Sequence, residues 1–426
     1  MCLNPYILFF PFLILSLAIV FIFKTTATYG DEQRYLDCAM NLQMGLFSPA
    51  WPDIYLPNGP GYPLIIVPFL LFNLPVTFIP VLNAFFYYFS IVLIYKALKD
   101  RISYNLTISI SLFWAFYVNI FLNIPYILTE TLAAFLVAMI VFSLTKAFRE
   151  DKKYLKNNYL YLSGFSIGYL VLTKVVFGYV LLAMLAATFF LWIFNPKSLN
   201  HRKGLLILLL ALAVNAPYLV YTYHLTGKVF YWSTKGGVNL YWMSTPFNEE
   251  YGDYESFLKE VNSPVLNGQH LVVAGDSIKL NYFNKYKEIS KIPQSGLLQD
   301  DEYRNVALKN IEAHPSKFLF NGFCNLGRIL FDIPYSHTLQ KPANLLRLPF
   351  NGIIIIFIII VLFPTLFNWK RIDYSIRFII FFTLLYLGGS LLGCAETRMF
   401  TIIVPFLLFW IAFILNRMKI KFKFQD

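Results

Sequence analysis

The chain of 426 residues is strongly apolar, since 58% of its residues are hydrophobic and only 14% are charged. An ordinary globular domain has about 25% charged residues, so this composition excludes a soluble protein, and it also excludes a disordered chain. The 35 basic and 23 acidic residues give a formal charge of +12, which in so apolar a chain indicates membrane topology rather than nucleic-acid binding.

Ten apolar blocks are long enough to cross a membrane at roughly 20 residues per crossing. The first, Asn4–Phe23, lacks the basic start of a secretory signal, so we expect a retained helix; small residues at Thr25–Thr28 leave cleavage as an alternative. The nine others are Val76–Leu98, Tyr104–Leu122, Tyr126–Thr145, Tyr159–Leu172, Val175–Phe194, Leu205–Tyr223, Leu348–Phe367, Ile376–Gly393 and Phe400–Leu415. Leu64–Leu74 and Phe318–Ile333 are ambiguous, and two prolines favour an interfacial helix for the former. We therefore predict an all-α polytopic membrane protein with ten to twelve transmembrane helices.

The basic residues concentrate in alternate connections between these blocks. Five connections hold 18 basic and 5 acidic residues, net +13, and the rest of the chain holds 17 and 18, net −1. They are Lys96–Arg101, Lys146–Lys156, Lys197–Lys203, Lys370–Arg377 and Arg417–Asp426. Because Lys and Arg accumulate in cytoplasmic loops, we place these connections and both termini in the cytoplasm, and the protein in the inner (plasma) membrane.

The extracytoplasmic side then receives two long segments. A first loop over 24–75 belongs to an N-terminal membrane module over 1–222, and a larger loop region follows over 223–347. The remainder, 348–426, holds the C-terminal helices and a basic cytoplasmic tail. Within the larger region, Asp300–Asn325 reads as a helical run broken at a proline.

Cysteine and histidine spacing gives no support for a disulfide framework or a protein-built metal cage. We expect each cysteine to be a small buried apolar side chain. The four are Cys2, Cys38, Cys324 and Cys394.

Ionisable residues at the extracytoplasmic ends of apolar helices are the informative ones, because a charge at membrane depth is costly and usually retained for function. The first such site follows the first apolar block, in GDEQRYLDCAMNL. A helix over Asp31–Leu46 places Tyr35, Cys38 and Leu42 on one stripe with Asp31. The alternative is that Asp31 is only an N-cap and Glu32 a first-turn acid, favoured by the helix dipole.

The next motif, LPNGPGYPLI, packs three prolines and two glycines into seven residues. Such a run excludes a regular helix or strand and predicts a rigid turn that permits close backbone approach. An inert turn before an interfacial helix is the alternative.

Four further residues lie beside apolar helices. Glu130 lies one turn into a helix, where its carboxylate either pairs with a polar group of a neighbouring helix or lines a polar cavity. Lys174, between two apolar runs, either snorkels to the interface or binds phosphate as a point charge. Glu396 and Arg398 are two residues apart, so a turn is needed to direct both into one cavity, where Arg suits bidentate phosphate binding; otherwise they anchor the interface.

Seven features follow one another along the chain. A membrane helix comes first, followed by DExxYxxxA and a PGYP turn. Then come TE in a later helix, an LTK turn, FxxSTxGGxNLYW at Phe230–Trp242, and a late ExR. This order resembles the GT-C superfamily of membrane glycosyltransferases, and within it the bacterial relatives of protein O-mannosyltransferases and lipid A aminoarabinose transferases. The resemblance covers about residues 1–415.

The resemblance implies an inverting glycosyltransferase that moves a sugar from a polyprenyl-phosphate donor to a hydroxyl of a lipid, glycan or protein acceptor at the extracytoplasmic face. Asp31 would be the catalytic base with Glu32 as partner, and Lys174 and Arg398 would face the donor phosphate. The residues implied to shape or cover the pocket are Tyr35, Asn58, Gly61, Tyr62, Glu130, Gly237, Asn239 and Glu396. Metal dependence stays open, because Asp31, Glu32 and Glu130 offer oxygen ligands for a divalent cation but nothing in their spacing demands one.

Other classes of membrane protein remain open at this point. A transporter should show paired broken helices and charges near the bilayer midplane, whereas here the charges gather at one end. An O-antigen polymerase or ligase would carry arginines in a large late loop. A purely structural protein explains the spans but not the clustered charges.

Overall fold

The computed structural model describes residues 4–23, 28, 30–49, 53–149, 157–254, 277–292, 296–336, 345–393 and 395–418. These residues form helices and no strand, which confirms the predicted all-α class. Cys2, Cys394, most of the Thr25–Thr28 stretch and the tail over 419–426 lie outside the described residues.

The helices of the first half are α1 (Pro5–Leu8), α2 (Phe10–Phe23), α3 (Asp31–Gln43), α4 (Gly61–Leu71), α5 (Ile79–Leu98), α6 (Tyr104–Ala115), α7 (Val118–Phe121), α8 (Glu130–Ala147), α9 (Asn158–Thr173), α10 (Val176–Phe194) and α11 (Leu199–Thr226). Those of the second half are α12 (Gly236–Met243), α13 (Ser277–Ser290), α14 (Gly296–Ala313), α15 (Pro315–Phe331), α16 (Leu348–Phe367), α17 (Tyr374–Leu391) and α18 (Thr397–Arg417). Short 3₁₀ turns precede α5, at Val76–Phe78, and α17, at Trp369–Arg371.

Eight helical segments of the described chain are long and apolar enough to cross a membrane, so the protein is a multi-pass membrane protein. They are Val76–Leu98, Tyr104–Phe121, Glu130–Ala147, Val176–Phe194, Leu199–Thr226, Leu348–Phe367, Tyr374–Leu391 and Thr397–Arg417. The two other predicted crossings coincide with shorter helices, α2 with 14 residues and α9 with 16. The number of ten crossings therefore stays a prediction.

Helix α18 forms the centre of the bundle. In its most apolar stretch 83% of the residues are buried, against 22% for α16 at the periphery. It packs against α5, α6, α8, α16 and α17. Helix α8 is the next most buried, at 78%, so these two helices position side chains in the interior rather than on the lipid-facing surface.

The first loop contains α3 and α4, which pack against each other. As predicted, Tyr35 and Cys38 are buried on one stripe of α3, with Leu42 half-buried beside them. The N-cap is Gly30, at φ 57°, so the alternative in which Asp31 is the N-cap is wrong; Asp31 is the first residue of the helix. Helix α4 has only 11 residues and is too short to cross, in agreement with the predicted interfacial helix.

The larger loop region contains α12 to α15 and a second hydrophobic core. Val238, Tyr241, Trp242, Ile289, Tyr303 and Ala307 form this core. The predicted helical run over Asp300–Asn325 is interrupted as expected, because α14 ends at Ala313 and α15 begins at Pro315. The ambiguous block Phe318–Ile333 falls largely within α15, whose buried face is polar.

Candidate active site

Arg398 lies at the centre of a cluster of charged side chains. Its Nη1 is 2.6 Å from Asp31 Oδ2, and its Nε is 2.7 Å from Glu396 Oε2 and 3.8 Å from Glu130 Oε1. Glu396 immediately precedes α18 in an extended conformation, with φ −133° and ψ 156°, and this turn brings it to Arg398 despite their spacing of two residues. One guanidinium is therefore shared by three carboxylates.

Glu130 is the buried acid of this cluster. It is the first residue of α8 and not, as predicted, one turn into a helix, because the chain before Thr129 is not helical. Its Oε1 accepts a hydrogen bond from Lys174 Nζ at 2.9 Å, and its side chain is fully buried. A buried carboxylate is tolerated only when it is paired, and Lys174 and Arg398 supply the opposite charge. The Lys174 ammonium thus turns inward to a buried acid, which contradicts the snorkelling alternative. Glu130 Oε2 has no hydrogen-bond partner among the described residues.

The two acids at the start of α3 have different partners. Asp31 forms ion pairs with Arg398 and with Arg34, three residues further along the helix. Glu32 Oε1 accepts a hydrogen bond from the backbone N–H of Ile127 at 2.9 Å. Glu32 therefore fixes the start of α3 against the segment that leads into α8, while Asp31 faces the charged cluster.

Aromatic side chains form one wall beside the cluster. The Tyr35 ring meets the Tyr62 ring edge-on, with centroids 5.4 Å apart, and its hydroxyl is 3.5 Å from Thr129 Oγ1. The Tyr62 hydroxyl donates to Asn83 Oδ1 at 3.3 Å. Asn83 is fully buried and was not predicted; an amide side chain within the apolar helix α5 is the signal that marks it.

The Pro/Gly-rich turn packs directly on the end of α9, just before Lys174. The prediction that the whole run excludes a helix is wrong for its second half, because α4 begins at Gly61, and Pro63 lies in the first turn, where the missing N–H is tolerated. A Cβ atom at Gly61 would lie 2.7 Å from the backbone nitrogen of Thr173, and one at Gly59 would overlap the backbone carbonyl of Leu172. The predicted close approach of two backbones is confirmed. Asn58, in the same turn, has a buried amide nitrogen without a hydrogen-bond partner in the described part of the chain.

The segment before α12 contacts the first loop. Thr234 N donates to the Leu56 carbonyl at 2.9 Å, and Leu56 N donates to Thr234 Oγ1 at 3.1 Å. Gly237 packs instead on α14, where its N–H donates to Asp300 Oδ1 at 2.5 Å. Asn239 is half-buried in α12. Residues 233–234 therefore join the first loop, whereas Gly237 belongs to the core of the larger loop region.

Asp300 is the organising acid of that loop region and was not predicted. Its fully buried side chain accepts hydrogen bonds from the Tyr231 hydroxyl at 2.9 Å and from Arg304 at 2.7 Å. Burial, and then the Asp300 carboxylate, raise the pKa of Tyr231, so this phenol stays a hydrogen-bond donor. The spacing of four residues between Asp300 and Arg304 on α14 is the signal in the sequence.

The described residues do not form a metal site, and the described cysteines are buried thiols. Within the described ranges no three His, Cys, Asp or Glu side chains are grouped to hold a metal ion. Cys38 and Cys324 are free and buried, as predicted. Burial, together with the charge of Asp37, raises the pKa of Cys38 to about 11, so this thiol is protonated at neutral pH.

Comparisons with known proteins identify the fold. Neither a protein-family model nor a curated protein matches this sequence. The structure is similar to that of the oligosaccharyltransferase of Archaeoglobus fulgidus, with a TM-score of 0.50 and 13% identity over 96% of this chain and 49% of that one. It is also similar to ArnT from Cupriavidus metallidurans, with a TM-score of 0.40 and 13% identity over 90% and 77% of the two chains. The chain spans about half the length of the archaeal enzyme. The predicted GT-C fold is confirmed.

Proposed function

We propose that the protein is an inverting glycosyltransferase that moves a sugar from a polyprenyl-phosphate donor to an acceptor hydroxyl at the extracytoplasmic face. The observation that carries this proposal is the position of Arg398 at one end of the bundle, between Asp31 and the buried pair of Glu130 and Lys174. The fold shared with an oligosaccharyltransferase supports the same class of reaction. The acceptor is a hydroxyl on a lipid, a glycan or a protein.

Lys174 and Arg398 are proposed to bind the donor phosphate. When the sugar–phosphate bond breaks, negative charge develops on the phosphate, and fixed cations stabilise it most in a water-poor site. Glu130 holds both cations in place, because its Oε1 is 2.9 Å from Lys174 Nζ and 3.8 Å from Arg398 Nε. An incoming phosphate competes with Asp31 and Glu396 for the guanidinium of Arg398.

Asp31 is proposed to act as the catalytic base, with Glu32 holding the start of α3. As the phosphate withdraws Arg398, the Asp31 carboxylate loses an ion-pair partner and its affinity for a proton rises. The acceptor oxygen forms a bond to C1 of the sugar, its proton passes to Asp31, and the electron pair of the C1–O bond leaves with the phosphate. Displacement from the opposite face inverts the anomeric carbon, and one carboxylate suffices because the phosphate needs no proton to leave.

The surrounding residues are proposed to shape the sugar pocket. Tyr35 and Tyr62 offer an aromatic wall, and the turn with Asn58 and Gly61 closes the side next to Lys174. The Asn58 amide, which has no hydrogen-bond partner among the described residues, is a donor available to a sugar hydroxyl. The loop that carries Gly237 and Asn239 is proposed to cover the pocket, with Thr234 as its contact to the first loop and Gly237 docked on Asp300.

The test compares Asp31→Asn with Asp37→Asn, a matched substitution on the same helix. Asp37 is exposed and bonds only to Gln33 at 2.8 Å among the described contacts. Each variant is expressed in cells that lack the gene, and envelope glycolipids, polysaccharides and glycoproteins are compared by mass spectrometry. We expect the missing sugar to be restored by the wild type and by Asp37→Asn but not by Asp31→Asn.

The purified variants provide the direct measurement. Transfer from the polyprenyl-phosphate sugar named by the envelope comparison should fall by at least about 100-fold in Asp31→Asn, in line with the loss of a general base. Wild-type transfer by Asp31→Asn would disprove the base assignment. An envelope unchanged by loss of the gene, with no transfer in vitro, would disprove the glycosyltransferase proposal and favour a transporter.

A further inference from the structure

A second polar region lies at the other end of the bundle from Asp31. Helix α18 begins at Thr397 and ends at Arg417, and at 1.5 Å per residue Arg398 and Arg417 are roughly 28 Å apart. A cavity of about 440 Å³ lies beside Arg417. Its polar lining includes Asp100, Arg101, Arg149, Asp373, Ser375 and Arg417. The volume is in the range of small-ligand sites, about 300 to 1,000 Å³.

The charges around this cavity leave an unneutralised cation. Asp373 accepts from Arg101 at 2.9 Å and lies 3.5 Å from Arg417. Asp100 is paired with Lys146 at 2.7 Å, outside the lining. Both acids are thereby neutralised, whereas the exposed Arg149 forms no ion pair with a described acidic residue. The cavity therefore has a net attraction for anions.

The start of helix α17 faces the same cavity. Tyr374 and Ser375 are its first two residues, and the N-cap Asp373 makes no capping hydrogen bond because its carboxylate is engaged by arginine. The first N–H groups of a helix carry a partial positive charge and bind anions. Ser375 is fully buried, and its hydroxyl has no hydrogen-bond partner among the described residues. An unmatched hydroxyl costs free energy unless a ligand satisfies it.

We propose that this cavity binds a phosphate group, held by Arg149, by the Ser375 hydroxyl and by the N-terminus of α17. Arginine offers a planar pair of donors to phosphate oxygens, and the helix N-terminus and serine add uncharged donors on a second side. Phenylalanine and tyrosine side chains at 148, 374 and 413 complete the wall and accommodate the apolar part of a phosphate ester. The phosphate belongs to an anionic lipid headgroup or to a soluble phosphate compound, and basic pockets between membrane helices are known to attract the former.

The test measures thermal unfolding of the purified full-length protein in phospholipid-free detergent. Three probes are titrated separately: dihexanoyl phosphatidic acid, inorganic phosphate and dihexanoyl phosphatidylcholine. Stabilisation by phosphatidic acid alone identifies a lipid headgroup, and equal stabilisation by inorganic phosphate identifies a soluble phosphate compound. Stabilisation by neither phosphatidic acid nor inorganic phosphate overturns the proposal.

Variants separate this site from the cations near Asp31. Arg149→Gln should raise the half-saturating concentration about tenfold, the loss expected for one charged hydrogen bond. Ser375→Ala should weaken binding similarly while leaving the unliganded midpoint unchanged or higher, because it removes an unmatched polar group. Lys370→Gln is the control, since Lys370 is exposed and does not line the cavity. Binding that is unaltered by Arg149→Gln, or weakened equally by Lys370→Gln, would overturn the proposal.

Discussion

Arg398 in the first turn of the last helix pairs at 2.6 Å with Asp31, the first residue of α3. Two residues that lie far apart in the sequence therefore meet in one ionic contact. Arg398 also contacts Glu130 and Glu396. A side chain at this position therefore has to offer several directed donors, as a guanidinium does, and a simple positive charge is not enough.

Arg398→Lys should therefore reduce activity even though the charge is kept. A lysine ammonium lacks the planar arrangement of donors that spans three carboxylates. We expect transfer to fall about 10- to 100-fold, with a smaller change in the free energy of unfolding. Arg371→Lys, at an exposed position, is the control in the same assays, and equal activity of both variants would contradict the role given to Arg398.

Glu130 and Lys174 should contribute jointly to the free energy of unfolding, because their side chains form a buried pair. Glu130→Gln leaves the Lys174 ammonium without its described acid partner and should lower the free energy of unfolding by about 3 kcal/mol. Lys174→Gln should cost less, because Arg398 Nε stays 3.8 Å from Glu130 Oε1. The double variant should lose clearly less than the sum. Unfolding by SDS in mixed micelles provides the measurement. Lys146→Gln, at the other end of the same helix, where the side chain is half-buried, should cost less than about 1 kcal/mol.

Gly61→Ala should displace the Pro/Gly-rich turn from α9. The added methyl group would lie 2.7 Å from Thr173 N, and overpacking of this kind costs about 1 to 3 kcal/mol. The same unfolding assay should show this loss, accompanied by reduced transfer. Gly352→Ala adds its methyl group in open space within α16 and should be neutral or slightly stabilising; equal effects at both positions would count against the packing argument.

Substitution by alanine should have very different effects at two adjacent glycines in α12. A Cβ atom at Gly237 would overlap the Asp300 carbonyl, whereas one at Gly236 meets nothing nearer than 3.7 Å. We expect limited proteolysis to cut the larger loop region of Gly237→Ala several times faster than that of the wild type. Gly236→Ala should be cut at the wild-type rate. Similar cutting of both variants would show that Gly237 does not dock this region.

Cys38 should react slowly with alkylating reagents. The thiolate is the reactive form, and with a pKa of about 11 the fraction ionised at pH 8 is on the order of 10⁻³, compared with about a quarter for an ordinary thiol. Mass spectrometry should show alkylation at least about 100-fold slower in folded than in SDS-unfolded protein. Raising the pH from 8 to 9 should speed the folded reaction about tenfold. A folded rate equal to the unfolded one would contradict burial of this side chain.

Much of this fold was predictable, because the length of an apolar block and the distribution of Lys and Arg between blocks can be determined from neighbouring residues of the chain. The eight long membrane helices follow directly from the apolar blocks, while α2 and α9 are shorter than their blocks. The residues of the charged cluster were also predictable, since an acid or base beside an apolar helix is rare. Their pairing was not, because Arg398 and Glu130 lie far apart in sequence.

Side chains whose role depends on a distant partner were the ones missed. Asn83 satisfies the Tyr62 hydroxyl and two backbone carbonyls before α8, and Asp300 organises a core that brings together α12 and α14. Gly237 was assigned by its motif to the loop over the pocket, but its close contact with Asp300 was not predicted. Only the folded arrangement reveals such contacts.

The central position of α18 has a consequence for biosynthesis. A chain is made from its N-terminus at about 5 to 20 residues per second, so the most buried helix of the bundle leaves the ribosome after the other described helices. The faces of helices α5, α6 and α8 that pack against it therefore lack this partner until α18 has been made. A nascent chain that stops before Thr397 has Asp31 and Glu130 without Arg398, and it exposes the interior surface on which quality-control proteases act.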